Sequence, residues 1–172
     1  MRKFLLPLLF IFFFILESIF VQSLPAEMFN SERILVPRFL MIAIIFLTLY
    51  GNRNHGLIYA LVFGLLFDVV YTEIIGIYLF LFPLIAYLTS KVMRLLQANI
   101  VVISVVSLLG VALLELCVYE LTFLINKTDM VFSMFVDLRW LPTLILNLAF
   151  IIIFAYPLKR HFEKYALSLK EE

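Results

Sequence analysis

Two carboxylates, Asp68 and Glu73, stand in the stretch GLLFDVVYTEIIGIYLF (Gly64–Phe80), which otherwise reads as membrane hydrocarbon. An ionised acid at the centre of a membrane helix costs at least ~2.5 kcal/mol, so such a residue faces protein or water rather than lipid. Glu17 and Glu115 pose the same question in two other apolar runs, and Arg38 and Asn147 offer a cation and an amide to pair with them. The chemistry open to this set is that of a buried polar network: ion pairing, hydrogen bonding or recognition of a polar ligand. Catalysis has little to work with. The two histidines, His55 and His161, form no metal-spaced pair. Ser18, Ser90, Ser104 and Ser107 have no histidine or lysine at the depth of Glu17 or Glu115 to act as base. The lone Cys117 gives neither a disulfide framework nor a multi-cysteine metal site. No enzyme activity, metal or cofactor is expected.

The composition says where these residues must sit. Of 172 residues 65% are hydrophobic and 15% charged, outside the range of soluble domains, and a net charge of +1 offers nothing to nucleic acid. The chain reads as one all-α integral membrane domain over residues 1–172. A helical span needs about 20 mainly apolar residues. Six runs approach that length: residues 4–21, 34–50, 56–71, 74–90, 100–125 and 140–158. Six transmembrane helices are therefore expected, followed by a short amphipathic tail over 159–172. In that tail Leu158, Phe162, Ala166 and Leu169 align at helical spacing among Lys159, Lys164 and Lys170, which suits anionic lipid or a partner.

Basic residues in short loops set orientation. Arg2, Lys3, Arg53, Lys91, Arg94, Lys159, Arg160, Lys164 and Lys170 fall on one side of the six runs, nine of the thirteen; Arg33, Arg38, Lys127 and Arg139 lie towards the other. Both termini are expected to be cytoplasmic, in a multi-pass protein of the cytoplasmic membrane. Arg2 and Lys3 before an apolar run ending near Val21-Gln22-Ser23 also resemble a secretory signal peptide, whose cleavage before Leu24 would leave five spans. Glu17 and Pro25 are ill suited to a cleavage region.

Depth can be counted at ~1.5 Å per residue: Glu17, Asp68 and Glu115 then lie roughly 20, 18 and 22 Å from the cytoplasmic face, and Arg38 and Asn147 ~6 and ~10 Å below the outer one. The five share an outer layer, with Arg38 expected to compensate Asp68 or Glu115. Such a network either serves function or fixes helix register. Gly56, Ala60, Gly64 and Asp68 recur every four residues, a small-residue stripe that lets a neighbouring helix approach. Ser104 and Ser107 share the face of Glu115. Glu73 is read as a turn residue near a helix amino terminus.

The segment Gly64-Leu-Leu-Phe-Asp68, a tight turn, then Ile75-Gly76 opening the next helix resembles the MreD family of bacterial rod-shape-determining proteins, as do Leu16-Glu17-Ser18-Ile19-Phe20 and Pro37-Arg38-Phe39. The resemblance implies a non-enzymatic membrane subunit of the cell-elongation machinery, which organises peptidoglycan synthesis with MreC, the actin-like MreB, and RodA with its transpeptidase partner. It also implies a fold similar to the substrate-binding membrane subunits of energy-coupling-factor vitamin transporters. A transport subunit is accordingly the alternative function, although the first run lacks the small-residue stripe through which those subunits dock. A partner surface is expected in the apolar loop between Asn126 and Arg139, at Met130, Phe132, Met134 and Phe135. Gly76 joins Gly56, Ala60 and Gly64 as a helix-packing position.

Overall fold

Leu6, Phe10, Phe13 and Glu17 recur at helical spacing and are buried, whereas Leu5, Leu8, Phe12, Ile15 and Ile19 between them are exposed. This one-sided burial marks α1 (Arg2–Ser23) as a peripheral helix with one stripe on the protein and the rest towards lipid. The computed structural model describes residues 2–23, 33–72, 74–97 and 99–170. After α1 come α2 (Phe39–Phe46), drawn on as a π-helical turn Leu47–Gly51, then α3 (Arg53–Tyr71), α4 (Ile77–Val92) and α5 (Ile100–Leu124). A short α6 (Phe132–Phe135) passes through a second π-helical turn, Val136–Trp140, into α7 (Leu141–Lys170).

α2 is unlike the others. Every residue from Phe39 to Leu47 is buried, so the helix is apolar all round and packed on all sides by protein. It lies against α1, α3, α4, α5 and α7 and forms the centre of the molecule. Around it, α7 turns Thr143, Asn147, Phe150, Ile151, Leu158 and Phe162 inward and leaves Ile145, Ile152 and Ile153 exposed. Exposed aliphatic faces on α1, α3, α5 and α7 belong in bilayer, and the chain is a multi-pass membrane protein.

The expected count of six transmembrane helices is corrected. Among the described residues four helical stretches are long and apolar enough to cross: Leu5–Ser23, Arg53–Tyr71, Ile100–Leu124 and Phe132–Leu169. The shorter apolar helices Phe39–Gly51 and Ile77–Val92 extend roughly 20 and 24 Å at 1.5 Å per residue, against ~30 Å of hydrocarbon. The physical reason lies in what an apolar run contains. Residues 33–38 carry no helix, so the second run yields helix only from Phe39, and its hydrophobicity is that of a protein core. The six-helix transporter-like fold expected with that count falls with it.

Close helix approach follows the small residues. A Cβ on Gly56 would lie 2.1 Å from Thr48 Oγ1, and one on Gly64 2.5 Å from the Tyr78 carbonyl oxygen. Ala60 between them is fully buried. Gly76 does a different job: it precedes α4 at φ 126°, with open space where a side chain would go. The segment from Lys159 continues α7 without a break through Pro157, and Phe162 packs against Phe10 with ring centroids 6.2 Å apart.

Candidate functional site

A helix start buried in protein leaves amides that water cannot reach, and these must be satisfied by side chains. α2 has this problem, and its neighbours answer it. Glu17 of α1 accepts from the Leu40 amide through Oε1 at 2.7 Å. Asn147 of α7 accepts from the Arg38 amide through Oδ1 at 2.9 Å. Its Nδ2 in turn donates to the carbonyls of Val36 at 3.0 Å and Thr143 at 2.8 Å. Thr143 Oγ1 accepts from the Val36 amide at 3.2 Å. Two helices distant in sequence thus cap the third.

Arg38, the residue that precedes α2, sends its guanidinium the other way. Nε donates to Glu115 Oε1 at 2.6 Å and Nη2 to the Tyr78 hydroxyl at 2.8 Å, with Cζ 4.9 Å from the Tyr78 ring centroid. Glu115 Oε2 accepts from Arg139 Nε at 3.0 Å. Arg38 and Glu115 are buried, while the Arg139 side chain is 30% exposed and forms the rim. Glu115 thus lies between two cations, with a guanidinium paired to each of its oxygens. This is the condition under which charges are tolerated at low dielectric.

Asp68 stands one contact away. Its Oδ2 accepts from the amides of Gly76 at 2.8 Å and Leu79 at 2.9 Å, and its Oδ1 from the Tyr78 amide at 2.9 Å. The carboxylate of α3 therefore caps the amino terminus of α4, where the helix dipole favours negative charge. Of the two partners weighed for Arg38, the structure places Glu115 against it. Asp68 meets Arg38 only through Tyr78, which Asp68 holds by its backbone and Arg38 by its hydroxyl. Glu73 falls outside the described residues. Ser107 is buried and returns its hydroxyl to the Ile103 carbonyl at 2.8 Å, apart from the cluster. Asp68→Ala is expected to lower stability by about 2 kcal/mol, since three amides at one helix start lose their acceptor. Thermal unfolding in detergent measures it, and an unchanged midpoint would show that the cap contributes nothing.

Residues not singled out in the sequence complete the site. Tyr78 and Thr143 are ordinary residues of apolar helices, and Arg139 reads as a loop cation. The π-helical turn Val136–Trp140 carries Arg139 directly into α7, four residues ahead of Thr143 and eight ahead of Asn147. A cavity of about 170 Å³ lies beside the cluster, bordered by Glu17, Arg38, Phe67, Tyr71, Tyr78 and Arg139. Glu17 borders it, and its Oε2 has no hydrogen-bond partner among the described residues. The cavity is smaller than the roughly 300–1,000 Å³ usual for small-molecule sites.

The family model described as rod shape-determining protein MreD matches residues 2–165. The chain belongs to the MreD family. It is 38% identical to the Rod shape-determining protein MreD of Bacillus subtilis (strain 168) over 172 residues, covering 100% of this chain and 98% of that protein. It is 29% identical to the Cell shape-determining protein MreD of Streptococcus pneumoniae (strain ATCC BAA-255 / R6) over 155 residues, 90% of this chain and 92% of that one. No solved structure matches the chain. The expected likeness in fold to energy-coupling-factor transporter subunits is corrected accordingly, having neither a matching structure nor six spanning helices behind it. MreD proteins are non-catalytic, and this family member is not an enzyme. Among its described residues no group of three or more His, Cys, Asp and Glu is placed to hold a metal.

Proposed function

We propose that this chain is a membrane scaffold of the cell-elongation machinery, holding an MreC-like membrane protein and, directly or through it, MreB and RodA with its transpeptidase partner. Family membership supports the role in cell shape, and one structural observation carries the scaffold reading. The segment leading into α7 is anchored from inside yet presents apolar side chains outward. Phe135 is buried and stacks on Tyr119 with centroids 4.2 Å apart, and the Tyr119 hydroxyl donates to the Met130 carbonyl at 2.9 Å. Val131, Phe132 and Met134 remain exposed at 61%, 52% and 49%. A fixed apolar ledge of this kind suits a partner more than a moving substrate.

Arg2 and Lys3 before the first apolar run and Lys159, Arg160, Lys164 and Lys170 after the last support an orientation with both termini in the cytoplasm and this ledge on the outer side, where peptidoglycan is built. The polar cluster is a staple in this reading, holding α1, α2, α4, α5 and α7 so that the ledge keeps its shape. Phe132→Ser with Met134→Ser is expected to reduce co-purification of an MreC-like partner roughly fivefold or more, as loss of two apolar anchors does at an interface. Capture at the parental level, with normal amounts of protein in the membrane, would move the contact elsewhere. In a Cys117→Ala background, Lys127→Cys is expected to react with an impermeant thiol reagent from outside and Arg94→Cys to be protected. The reverse pattern would invert the topology.

A further inference from the structure

Arg53 opens α3 and Lys91 lies in the last turn of α4, so the hairpin brings two cations to the same end of the helix pair. Both are drawn to one ring: Arg53 Cζ is 5.0 Å and Lys91 Nζ 5.4 Å from the centroid of Tyr87. Like charges gathered at one ring repel each other. Among the described residues neither joins an ion pair, and Arg53 Nε is buried without a hydrogen-bond partner. The cluster therefore calls for an anion.

What lies next to it says which kind. Tyr87 also closes one end of a groove between α3 and α4, about 530 Å³ in volume, walled by Leu57, Leu61, Phe80, Pro83 and Leu84. From Leu79 to Tyr87 it extends roughly 12 Å along α4. Phe80 and Leu61 are exposed at 65% and 51%. The walls are bulky rather than small, which keeps a neighbouring helix backbone at a distance and leaves a channel of the width a flexible hydrocarbon chain fills.

We propose that Arg53, Lys91, Tyr87 and the adjoining α3/α4 groove form a binding site for an anionic phospholipid. The phosphate sits between the guanidinium and the ammonium, where arginine offers its fork of donors and lysine a point charge. One acyl chain lies in the groove, and Tyr87 stands at the boundary between headgroup and hydrocarbon, a depth that suits its amphipathic ring. An acidic peptide would meet the two cations and leave the groove unfilled. A free phosphate would do the same.

Purified full-length chain, delipidated in detergent, is titrated with dioleoyl-phosphatidylglycerol or dioleoyl-phosphatidylcholine and the bound lipid counted by native mass spectrometry. Phosphatidylglycerol is expected to bind about tenfold more tightly than phosphatidylcholine, and Arg53→Gln with Lys91→Gln to erase most of that preference. Arg94→Gln with Lys164→Gln removes the same charge from exposed positions elsewhere at that end of the molecule and is expected to change binding less than about twofold. Equal loss from the two pairs would mean a diffuse positive field and overturn the site. Leu61→Trp, which fills the groove and keeps both charges, is expected to weaken phosphatidylglycerol binding as well. No effect of Leu61→Trp, or displacement of the lipid by an equal concentration of glycerol phosphate, would reduce the site to a headgroup contact and overturn the groove. All positions changed except Arg53 are surface side chains, and a Lys91→Gln single variant carries the charge test if the Arg53 substitution lowers the unfolding temperature.

Discussion

Arg38→Ala is expected to destabilise the protein by roughly 3 to 5 kcal/mol, the cost of orphaning a buried partner, and to be the most damaging single truncation in the polar cluster. The side chain holds Glu115 of α5 and Tyr78 of α4 while the backbone of the same residue is held by Asn147 of α7. Its loss leaves the fully buried Glu115 with only the rim cation Arg139. Glu115→Gln in the Arg38→Ala background removes the uncompensated charge and is expected to restore part of the stability, so that the two changes together cost less than their sum. The same cycle with Asp68→Asn is expected to show a smaller coupling, because Asp68 reaches Arg38 only through Tyr78. Unfolding midpoints in detergent for the four proteins of each cycle decide it. Additivity in the Arg38–Glu115 cycle would mean that the short contact does not contribute to stability.

The second large effect is expected at a residue with no polar group. The Cβ that Gly64→Ala introduces would stand 2.5 Å from the Tyr78 carbonyl oxygen, 2.9 Å from its carbon and 3.1 Å from Leu79 Cα. All three are backbone atoms and cannot rotate away. α3 and α4 must move apart, and that strains the three hydrogen bonds from backbone amides to Asp68 at the crossing. Overpacking of this kind costs about 1–3 kcal/mol, and the weakened cap adds to it. Gly76→Ala serves as comparison. There the space is open and the cost is the backbone conformation alone, about 1–3 kcal/mol for a side chain held at φ 126°, with the cap left in place. Gly64→Ala is therefore expected to lower the unfolding midpoint more than Gly76→Ala, and the opposite order would show that α3 and α4 are not locked where they cross.

The contrast between these two glycines illustrates what a one-dimensional reading reaches. The four-residue stripe of Gly56, Ala60, Gly64 and Asp68 is a periodic signal, and periodicity survives into three dimensions. Glu17, Arg38, Glu115 and Asn147 were legible for a similar reason, since depth along a helix can be counted. Partner choice was not. Arg38 sits at one depth with several acids, and only the packing of α4 against α3 commits Asp68 to the α4 amides and leaves Glu115 for Arg38. Arg139 escaped because a loop cation and a cation one π-turn before a helix look alike in sequence. The count of spanning helices failed for another reason: hydropathy measures the apolar character of residues, not whether they are helical or face lipid. Phe39–Leu47 is as apolar as any span and is surrounded by protein.

That central helix has a consequence for how the chain is made. Its first amides and its arginine find their acceptors on α1, synthesised before it, but also on Glu115 and Asn147, synthesised 77 and 109 positions after Arg38. Until α5 and α7 have emerged, the start of α2 has a charge and an amide that hydrocarbon cannot satisfy, at several kcal/mol for each such group. The most apolar segment of the protein is thus the one that cannot settle in the membrane early. Its place is reserved by helices that the ribosome delivers after it, and the centre is complete only once Asn147 of α7 has been made.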